Sequence, residues 1–597
     1  MLFPRAAALI GLCAITFSAT PNRTPEPAKK TATSRRPTIA ATALSWAHAL
    51  PLRDKVAQLI IAPIFGELQN TRSRDFRHYV HYVKDLRVGG IIVLGHSING
   101  SVHNAEPLAM AALINRLQKL ARTPLLVGAD FERGASMRVN STTPWPPNMA
   151  FGAAGDLDDV RFEGAETARE ARALGVEWIF APVADVNNNP DNPIVNTRSY
   201  GEDPNQVARF VAAYIAGAHS DARHPVLVTA KHFPGHGDTS IDSHLDLARL
   251  DVTRERLESI ELVPFRAAVA GGVDAVMTAH ISVPALDPAA LPSTVSAPVL
   301  TDTLRHELGF KGLIVTDAMD MQGLSKLFDP GEASVRALEA GADVLLMPAD
   351  CERAIEAVMA AVKSGRITRK RLDESVARVL EAKIRLGLTR RRTVNLEGIS
   401  DVLASPEADT AAQRVAERAL TLVKNDGNLF PLRSPASACV AVLTESRDSQ
   451  HGRTLTAELK KRAANMTVIT LDPGIPADEI SRLAQDLGSC PVTVLVPFVT
   501  VGAYKGTVAL RAPYMALAQS LTAGKSPVAV VAFGSPYLIR SLPNISAYIA
   551  TFSTTTTSEE AVARALFGEI PIGGHLPVTI PGIAKLGDGI TVKEKLP

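Results

Sequence analysis

The segment Lys231–Leu245, KHFPGHGDTSIDSHL, gathers three histidines, a lysine and two aspartates around a Pro-Gly break. Three chemistries are open to such a set. Taken as metal ligands, His232, His236, Asp238, Asp242 and His244 are of suitable type. His232 and His236 have the i, i+4 spacing of helical zinc sites, but Pro234 and Gly235 interrupt a helix there, and no glutamate follows the first histidine. Taken as a polar loop, the segment would only satisfy its own backbone. Taken as a proton-transfer site, it offers Asp242 and His244, an Asp-x-His pair. The carboxylate can fix the imidazole tautomer and stabilise its protonated form, in a group poised near neutral pH. Gly235 and Gly237 would then make the loop mobile.

A proton shuttle needs a partner, and Asp317 in GLIVTDAMDM (312–321) is the candidate. Preceded by apolar residues and Thr316, it should project from a rigid base. A carboxylate held in that way can act as a nucleophile toward an anomeric carbon. Asp320 is the rival, less rigidly placed, and a helix cap is the structural alternative for Asp317. Asp130, Asp185, Lys231 with His232, and His280 also lie at the ends of apolar runs. Arg198, in TRSYGEDP after an Asn-rich stretch, is read as a binding group rather than a surface ion-pair partner. His280 is read as a hydrogen-bonded packing residue, and Glu132 is given no role.

The elements that must position these groups are eight apolar runs. They are VAQLIIAPI (56–64), GGIIVLG (89–95), PLLVGAD (124–130), WIFAPVADV (178–186), PVLVTAKHF (225–233), AVMTAHISV (275–283), GLIVTDAM (312–319) and ADVLLMP (342–348). Continuous apolarity predicts strands buried on both faces. Helical patterns separate them, such as DPNQVARFVAAYIAGAHS, where Asp203 can cap and Pro204 can take the first helical position. That alternation predicts parallel strands with crossover helices. Eight units favour a closed (β/α)8 TIM barrel, in which all the strand ends named above meet at one face. Further apolar runs, CVAVLT (439–444), MTVITL (466–471), PVTVLVPFV (491–499), PVAVVAF (527–533) and AYIATF (547–552), predict an α/β layered sandwich. The expected divisions are a barrel over 44–390, a linker over 391–415 and the sandwich over 416–597.

At 597 residues the chain exceeds one ordinary domain. Its 46% hydrophobic and 21% charged residues suit a soluble globular protein, and a formal net charge of +2 argues against a nucleic-acid binder. Residues 1–19 read as a secretory signal, which predicts a secreted or periplasmic protein. The apolar run from Ala6 to Phe17 falls short of the roughly 20 residues a membrane span needs, an uncleaved anchor being the alternative. Leu12 is bulky where a lipoprotein signal takes a small residue, which disfavours lipidation of Cys13. Residues 20–43, rich in Thr, Pro, Ala, Lys and Arg, read as a flexible tether. Beyond the signal, Cys351, Cys439 and Cys490 form neither a disulfide framework nor a zinc pattern, and a Cys439–Cys490 pairing stays open. No cofactor is implied, no later run is long enough for stable membrane insertion, and a monomer is the default expectation.

KHFPGHGDTSIDSH together with VTDAMDM, DFERGASMR (130–138) and NNNPDNPIVNTRSYGEDP (187–204) resembles glycoside hydrolase family 3, in its β-N-acetylglucosaminidase branch. In the second half AERALTLVKNDGNLFPL (416–432), FGSPYLI (533–539) and PIGGHLPVTIP (571–581) resemble the family's sandwich domain, so the likeness runs from about residue 45 onward. The resemblance implies a retaining exo-glycosidase acting on terminal β-linked N-acetylglucosamine, with Asp317 as nucleophile, His244 as general acid/base and Asp242 as its partner. It implies that Asp130, Arg138, Arg198, Lys231 and His232 hold the sugar. Because the dyad lies in the barrel, the second domain is expected to be chemically silent. Arg133 stands where the family usually has the first of two glycines, which leaves the loop shape open. A β-glucosidase or phosphorylase of the same family, a metal-dependent hydrolase and an inactive carbohydrate binder remain alternatives.

Overall fold

The computed structural model describes residues 38–595 apart from 68, 99, 100 and 543. The expected signal, 1–19, and residues 20–37 of the expected tether lie outside the described residues. Eight strands form one parallel sheet: β1 (Ile60–Phe65), β2 (Gly90–Leu94), β3 (Leu126–Ala129), β4 (Trp178–Ile179), β5 (Leu227–Phe233), β6 (Ala275–Thr278), β7 (Leu313–Val315) and β8 (Leu345–Leu346). Their spatial order is β7-β6-β5-β4-β3-β2-β1-β8. A parallel bridge between Val315 and Val344 brings β7 to the start of β8 and nearly closes the ring. Each of the eight apolar runs supplies one strand. The strands are continuously apolar because one face meets the barrel interior and the other the helices; every residue of β3 and β5 is buried. Helix Pro204–Ala218 starts as its sequence predicts, with the Asp203 side chain accepting from the Asn205 N–H at 3.0 Å.

A second sheet holds β9 (Thr421–Asn425), β10 (Cys439–Leu443), β11 (Thr467–Leu471), β12 (Thr493–Val499), β13 (Val528–Gly534) and β14 (Ala547–Ala550), in the order β9-β14-β13-β12-β10-β11. Only β9 runs antiparallel to its neighbour. Alternate residues face opposite layers. Val440, Val442, Val494 and Val496 pack toward helices Arg453–Arg462 and Thr556–Phe567, whereas Ala441, Leu443 and Leu495 pack toward helices Ala477–Gly488 and Ala512–Thr522. Cys439 and Cys490 form a disulfide, with Cα atoms 6.0 Å apart, because β10 lies beside the start of β12 and brings them within bonding reach.

Two segments read as linkers are partly helical. Helix Ile39–Ala49 begins inside the expected tether, its Ala43 and Ala47 fully buried against the barrel core. Helix Pro406–Ala419 begins inside the expected 391–415 linker, capped by the Ser405 side chain at the Ala408 N–H and built on a stripe of buried alanines. In both, small alanine side chains pack closely, a signal that composition alone reads as flexibility.

Buried charge at the N-terminal ends of the strands is structural. Asp343, just before β8, accepts from Arg378 at 3.0 Å and Ser375 at 2.5 Å and pairs with Arg305. Asp274, just before β6, takes His219 at 2.8 Å and Arg385 at 2.9 Å. In the same layer Lys383 is fully buried and, among the described residues, its ammonium donates only to Gln58 Oε1, at 2.6 Å. With no carboxylate beside it, burial pushes its pKa down to about 7. An unfolded lysine titrates near 10.5, so at and below pH 7 the native state must carry an unpaired buried ammonium, a penalty on the order of 4–5 kcal/mol. As pH rises from 7 to 10.5 the native lysine is neutral while the unfolded one still holds its proton, and the penalty fades. Lys383→Met should therefore stabilise the protein by roughly 2–4 kcal/mol below pH 7, after allowing for the orphaned Gln58 carbonyl. In thermal melts from pH 6 to pH 10 the advantage over wild type should shrink steadily.

Candidate active site

The C-terminal ends of β3, β4 and β5 carry a ladder of alternating charge. Lys231, in β5 and 2% exposed, donates to Asp130 Oδ1 at 2.7 Å and lies 2.7 Å from Glu132 Oε1. Asp130 also takes Arg138 at 3.2 Å, and Glu132 takes Arg198 through both oxygens at 2.7 and 2.8 Å. Arg198 Nη2 then lies 3.2 Å from His232 Nε2, and His232 Nδ1 lies 2.7 Å from Asp185 Oδ2. A guanidinium only donates, so His232 Nε2 must accept and Nδ1 must carry the hydrogen. Burial alone would favour the neutral forms of these groups, but the paired charges outweigh it. They raise the Lys231 pKa and hold the Asp130 and Glu132 carboxyls low.

The segment from His236 to Asp246 is fastened on several sides. Asp185 Oδ1 accepts the His236 N–H at 2.7 Å, while the His236 ring bonds Thr239 at 2.7 Å and Ser243 at 2.9 Å. Burial pushes the His236 pKa down to about 4. Asn192 Nδ2 donates to the carbonyls of His236 at 2.9 Å and Gly237 at 3.1 Å. Gly235 and Gly237 serve close packing rather than the expected mobility. A Cβ on Gly237 would lie 1.8 Å from Val186 O, and Gly235, at φ +130°, packs against Glu261. His232 and His236 both spend their two ring nitrogens on protein groups, and among the described residues no set of three or more His, Cys, Asp or Glu is arranged to hold a metal ion.

At the end of this segment His244 Nδ1 lies 2.8 Å from Asp242 Oδ1, which also accepts the His244 N–H at 2.9 Å. The pair is docked on the residues that follow β7. The Gly323 N–H donates to Ser243 O at 3.1 Å, Gln322 N–H to His244 O at 3.3 Å, and Lys326 Nζ to Leu245 O at 2.7 Å. Asp317 lies two residues past the end of β7, its backbone N–H 3.4 Å from Thr278 Oγ1 and its Oδ1 accepting the Ala318 N–H at 2.8 Å. Burial opposes its ionisation, yet the imidazoles of His232, His280 and His244 and the Ala318 N–H hold its carboxyl below the usual range. Asp320, more exposed, is raised instead, by the surrounding protein and by the Asp317 charge. His280 is fully buried and bonded at both nitrogens, to Thr294 Oγ1 at 2.7 Å and Ala318 O at 2.9 Å, so it braces the peptide beside Asp317.

Residues 51–382 match the N-terminal domain of glycosyl hydrolase family 3, and residues 420–591 match its C-terminal domain. The chain belongs to this family. It is 31% identical over 524 residues to a β-N-acetylglucosaminidase/β-glucosidase of Cellulomonas fimi, covering 84% of this chain and 91% of the relative. It is 32% identical over 430 residues to β-hexosaminidase A of Pseudoalteromonas piscicida, covering 66% and 69%. The solved structure of a glycoside hydrolase family 3 β-N-acetylglucosaminidase from Paenibacillus sp. str. FPU-7 superposes with a TM-score of 0.78 at 34% identity, over 89% of this chain and 99% of that one.

Of the eight residues expected in this family 3 chain, Asp130, Arg138, Arg198, Lys231 and His232 are joined in one ladder, Asp242 is paired with His244, and Asp317 feels the imidazoles of both His232 and His244. The fold also shows residues that sequence reasoning passed over. Glu132, given no role, joins Arg198 to Lys231. Asp185 binds the backbone and ring of His232 as well as His236; its place at a strand end was the available signal. Tyr504, from the second domain, puts its ring 5.2 Å from that of His244, at 64°. The contact brings the second domain, expected to be chemically silent, beside the dyad, and no sequence spacing announces it. Where Arg133 replaces the family's usual glycine, the turn is carried by Gly134 at φ +72°, where a Cβ would lie 2.5 Å from Trp145. Arg133 itself makes no side-chain ion pair among the described residues, and burial and Arg138 bring its pKa down to about 10.

Glu132→Gln removes the charge that two buried cations share. It should destabilise the protein by roughly 3 kcal/mol, read as a lower urea midpoint at unchanged slope. An unchanged midpoint would mean that Asp130 alone can compensate Lys231 and that Arg198 finds water.

Proposed function

We propose that this chain is a retaining, exo-acting β-N-acetylglucosaminidase. The observation that carries the reading is the 2.8 Å Asp242–His244 pair, held by hydrogen bonds on the segment that follows Asp317. In the proposed reaction an Asp317 carboxylate oxygen attacks the anomeric carbon while the bond from that carbon to the leaving oxygen breaks. His244 Nε2 delivers its proton to that oxygen. Neutral His244 then takes a proton from water, which displaces Asp317 and releases the sugar with net retention. Asp242 fixes Nδ1–H and leaves Nε2 for the transfer. Asp130, Arg138, Arg198, Lys231 and His232 hold the terminal sugar, where charged donors and acceptors of fixed geometry suit hydroxyl and acetamido groups.

The named activities of the Cellulomonas, Pseudoalteromonas and Paenibacillus relatives support this substrate class. The first carries both glucosaminidase and glucosidase names, so aryl β-glucoside belongs in the test. An imidazole donor also places no second anion beside the acceptor position, which leaves phosphate open as an alternative to water. With residues 1–19 as a secretory signal, the substrates would be peptidoglycan fragments or chitin-type oligosaccharides outside the cytoplasm. Among the described residues no helix is long and apolar enough to cross a membrane.

The test is turnover of aryl β-N-acetylglucosaminide and aryl β-glucoside, with and without phosphate. Asp317→Ala should lose about four or more orders of magnitude in kcat. His244→Ala should lose about 10²–10⁴-fold on unactivated leaving groups and far less on dinitrophenol, which departs without a proton. Equal losses on both would remove His244 from the proton-donor role.

A further inference from the structure

The second sheet reaches the catalytic mouth through the loop after β12. Thr500 follows the fully buried strand Thr493–Val499, and its hydroxyl donates to Glu445 at 2.6 Å. Glu445 lies just past β10 and also pairs with Lys505, whose ammonium donates to Thr500 O at 2.7 Å. The Lys505 N–H closes a turn on Gly502 O at 3.2 Å. The loop is therefore tied at both ends to the centre of the sheet. At its tip Tyr504 has φ +65°, a left-handed conformation uncommon for a residue with a side chain, and the residue is 55% exposed. The tip nevertheless lands on one target. The Tyr504 ring meets the His244 ring at 5.2 Å and 64°, and a Cβ on Gly506 would sit 3.1 Å from Leu245 Cδ1.

Beside that contact the dyad keeps one buried valence open. Asp242 is 2% exposed, and its Oδ2 takes no hydrogen bond among the described residues. The Tyr504 backbone N–H lies close enough to favour the Asp242 carboxylate without completing a hydrogen bond. His244, fixed at Nδ1 by Asp242, can still pivot about that bond; the Tyr504 ring fills one side of its swing. An edge-on ring contact of this kind favours one relative orientation of the two rings.

We propose that Tyr504 is a positioning residue for the Asp242–His244 pair, supplied by the second domain so that proton transfer requires both domains. The proposal rests on the reading of His244 as proton donor.

The experiment is a double-mutant cycle with two substrates, N,N′-diacetylchitobiose and 2,4-dinitrophenyl β-N-acetylglucosaminide. Tyr504→Ala should lower kcat on the disaccharide by about 10–100-fold, the effect of misplacing a catalytic group by roughly 1 Å, with the activated substrate within about threefold of wild type. In the His244→Ala background the same change should cost nothing further, because Tyr504 acts through the imidazole. Tyr504→Phe should keep wild-type behaviour, since the ring and not the hydroxyl makes the contact. Equal loss on both substrates, no loss on either, additive loss in the double variant, or a Phe variant as impaired as Ala would each overturn the proposal. If His244→Ala itself shows no leaving-group dependence, it is the proton-donor reading that fails, and this proposal falls with it.

Discussion

The site depends on one buried ammonium. Lys231 stands between Asp130 and Glu132, and without its charge two carboxylates would face each other in the interior, where like charges are costly. With it, the ladder extends without a break from Arg138 through Asp130, Lys231, Glu132, Arg198 and His232 to Asp185, each link 2.7–3.2 Å long. The desolvation cost of so many buried charges is met only because each has an opposite or complementary neighbour on either side. Such a ladder has few alternative arrangements. Strand ends β3, β4 and β5 are therefore held at one spacing by electrostatics as well as by the backbone ladder.

The proposed proton transfer by a loop residue would depart from the general template of glycoside hydrolysis, in which a second carboxylic acid flanks the bond about 5 Å from the nucleophile. For the proposed reaction a loop would suffice, because this one is held at both ends. Asp185 grips both His232 and the His236 N–H, so the far end of the ladder is also the start of the loop. At its other end the loop lies on residues 322–326, the continuation of β7 beyond Asp317. Asp317 and the Asp242–His244 pair are thus referenced to the same strand. The imidazoles that surround Asp317 favour its charged form, whereas Asp320, three residues on, is pushed toward its neutral form. The surroundings thus separate the two aspartates in the direction that the proposed nucleophile requires.

Strand count, the placement of ionisable groups at strand ends and the Asp-x-His pair were legible because each leaves a local trace: a continuous apolar run, a charge at its end, a fixed spacing. Glu132 was not legible, because an ion-pair bridge is a property of three residues from three strands. Gly235 and Gly237 misled for a related reason. A glycine has the same letter whether it gives freedom or permits contact, and only Val186 O at 1.8 Å from a would-be Cβ tells which. The alanines of 39–49 and 406–419 look like tether until the surface they pack on is present. Tyr504 is the extreme case. Its neighbour in space lies 260 positions away in sequence, in another domain, and its own surroundings, VGAYKGT, read as an ordinary loop.

Charge content alone does not separate the working end of the barrel from the structural end. Asp343 at the N-terminal end is as buried as any group in the ladder, and it too is held low, burial being outweighed by Arg305, Arg378 and Arg371. The difference is in valences left open. Around Asp343 the guanidinium groups, the Ser375 hydroxyl and the Ile314 N–H occupy the carboxylate completely. At the other end Asp317 spends one oxygen on the Ala318 N–H, while its second oxygen and His244 Nε2 have no hydrogen-bond partner among the described residues. Asp242 Oδ2 is likewise unpartnered, so these open valences lie where β7 and the 231–246 segment meet, the place at which the proposed reaction puts its nucleophile and its proton donor.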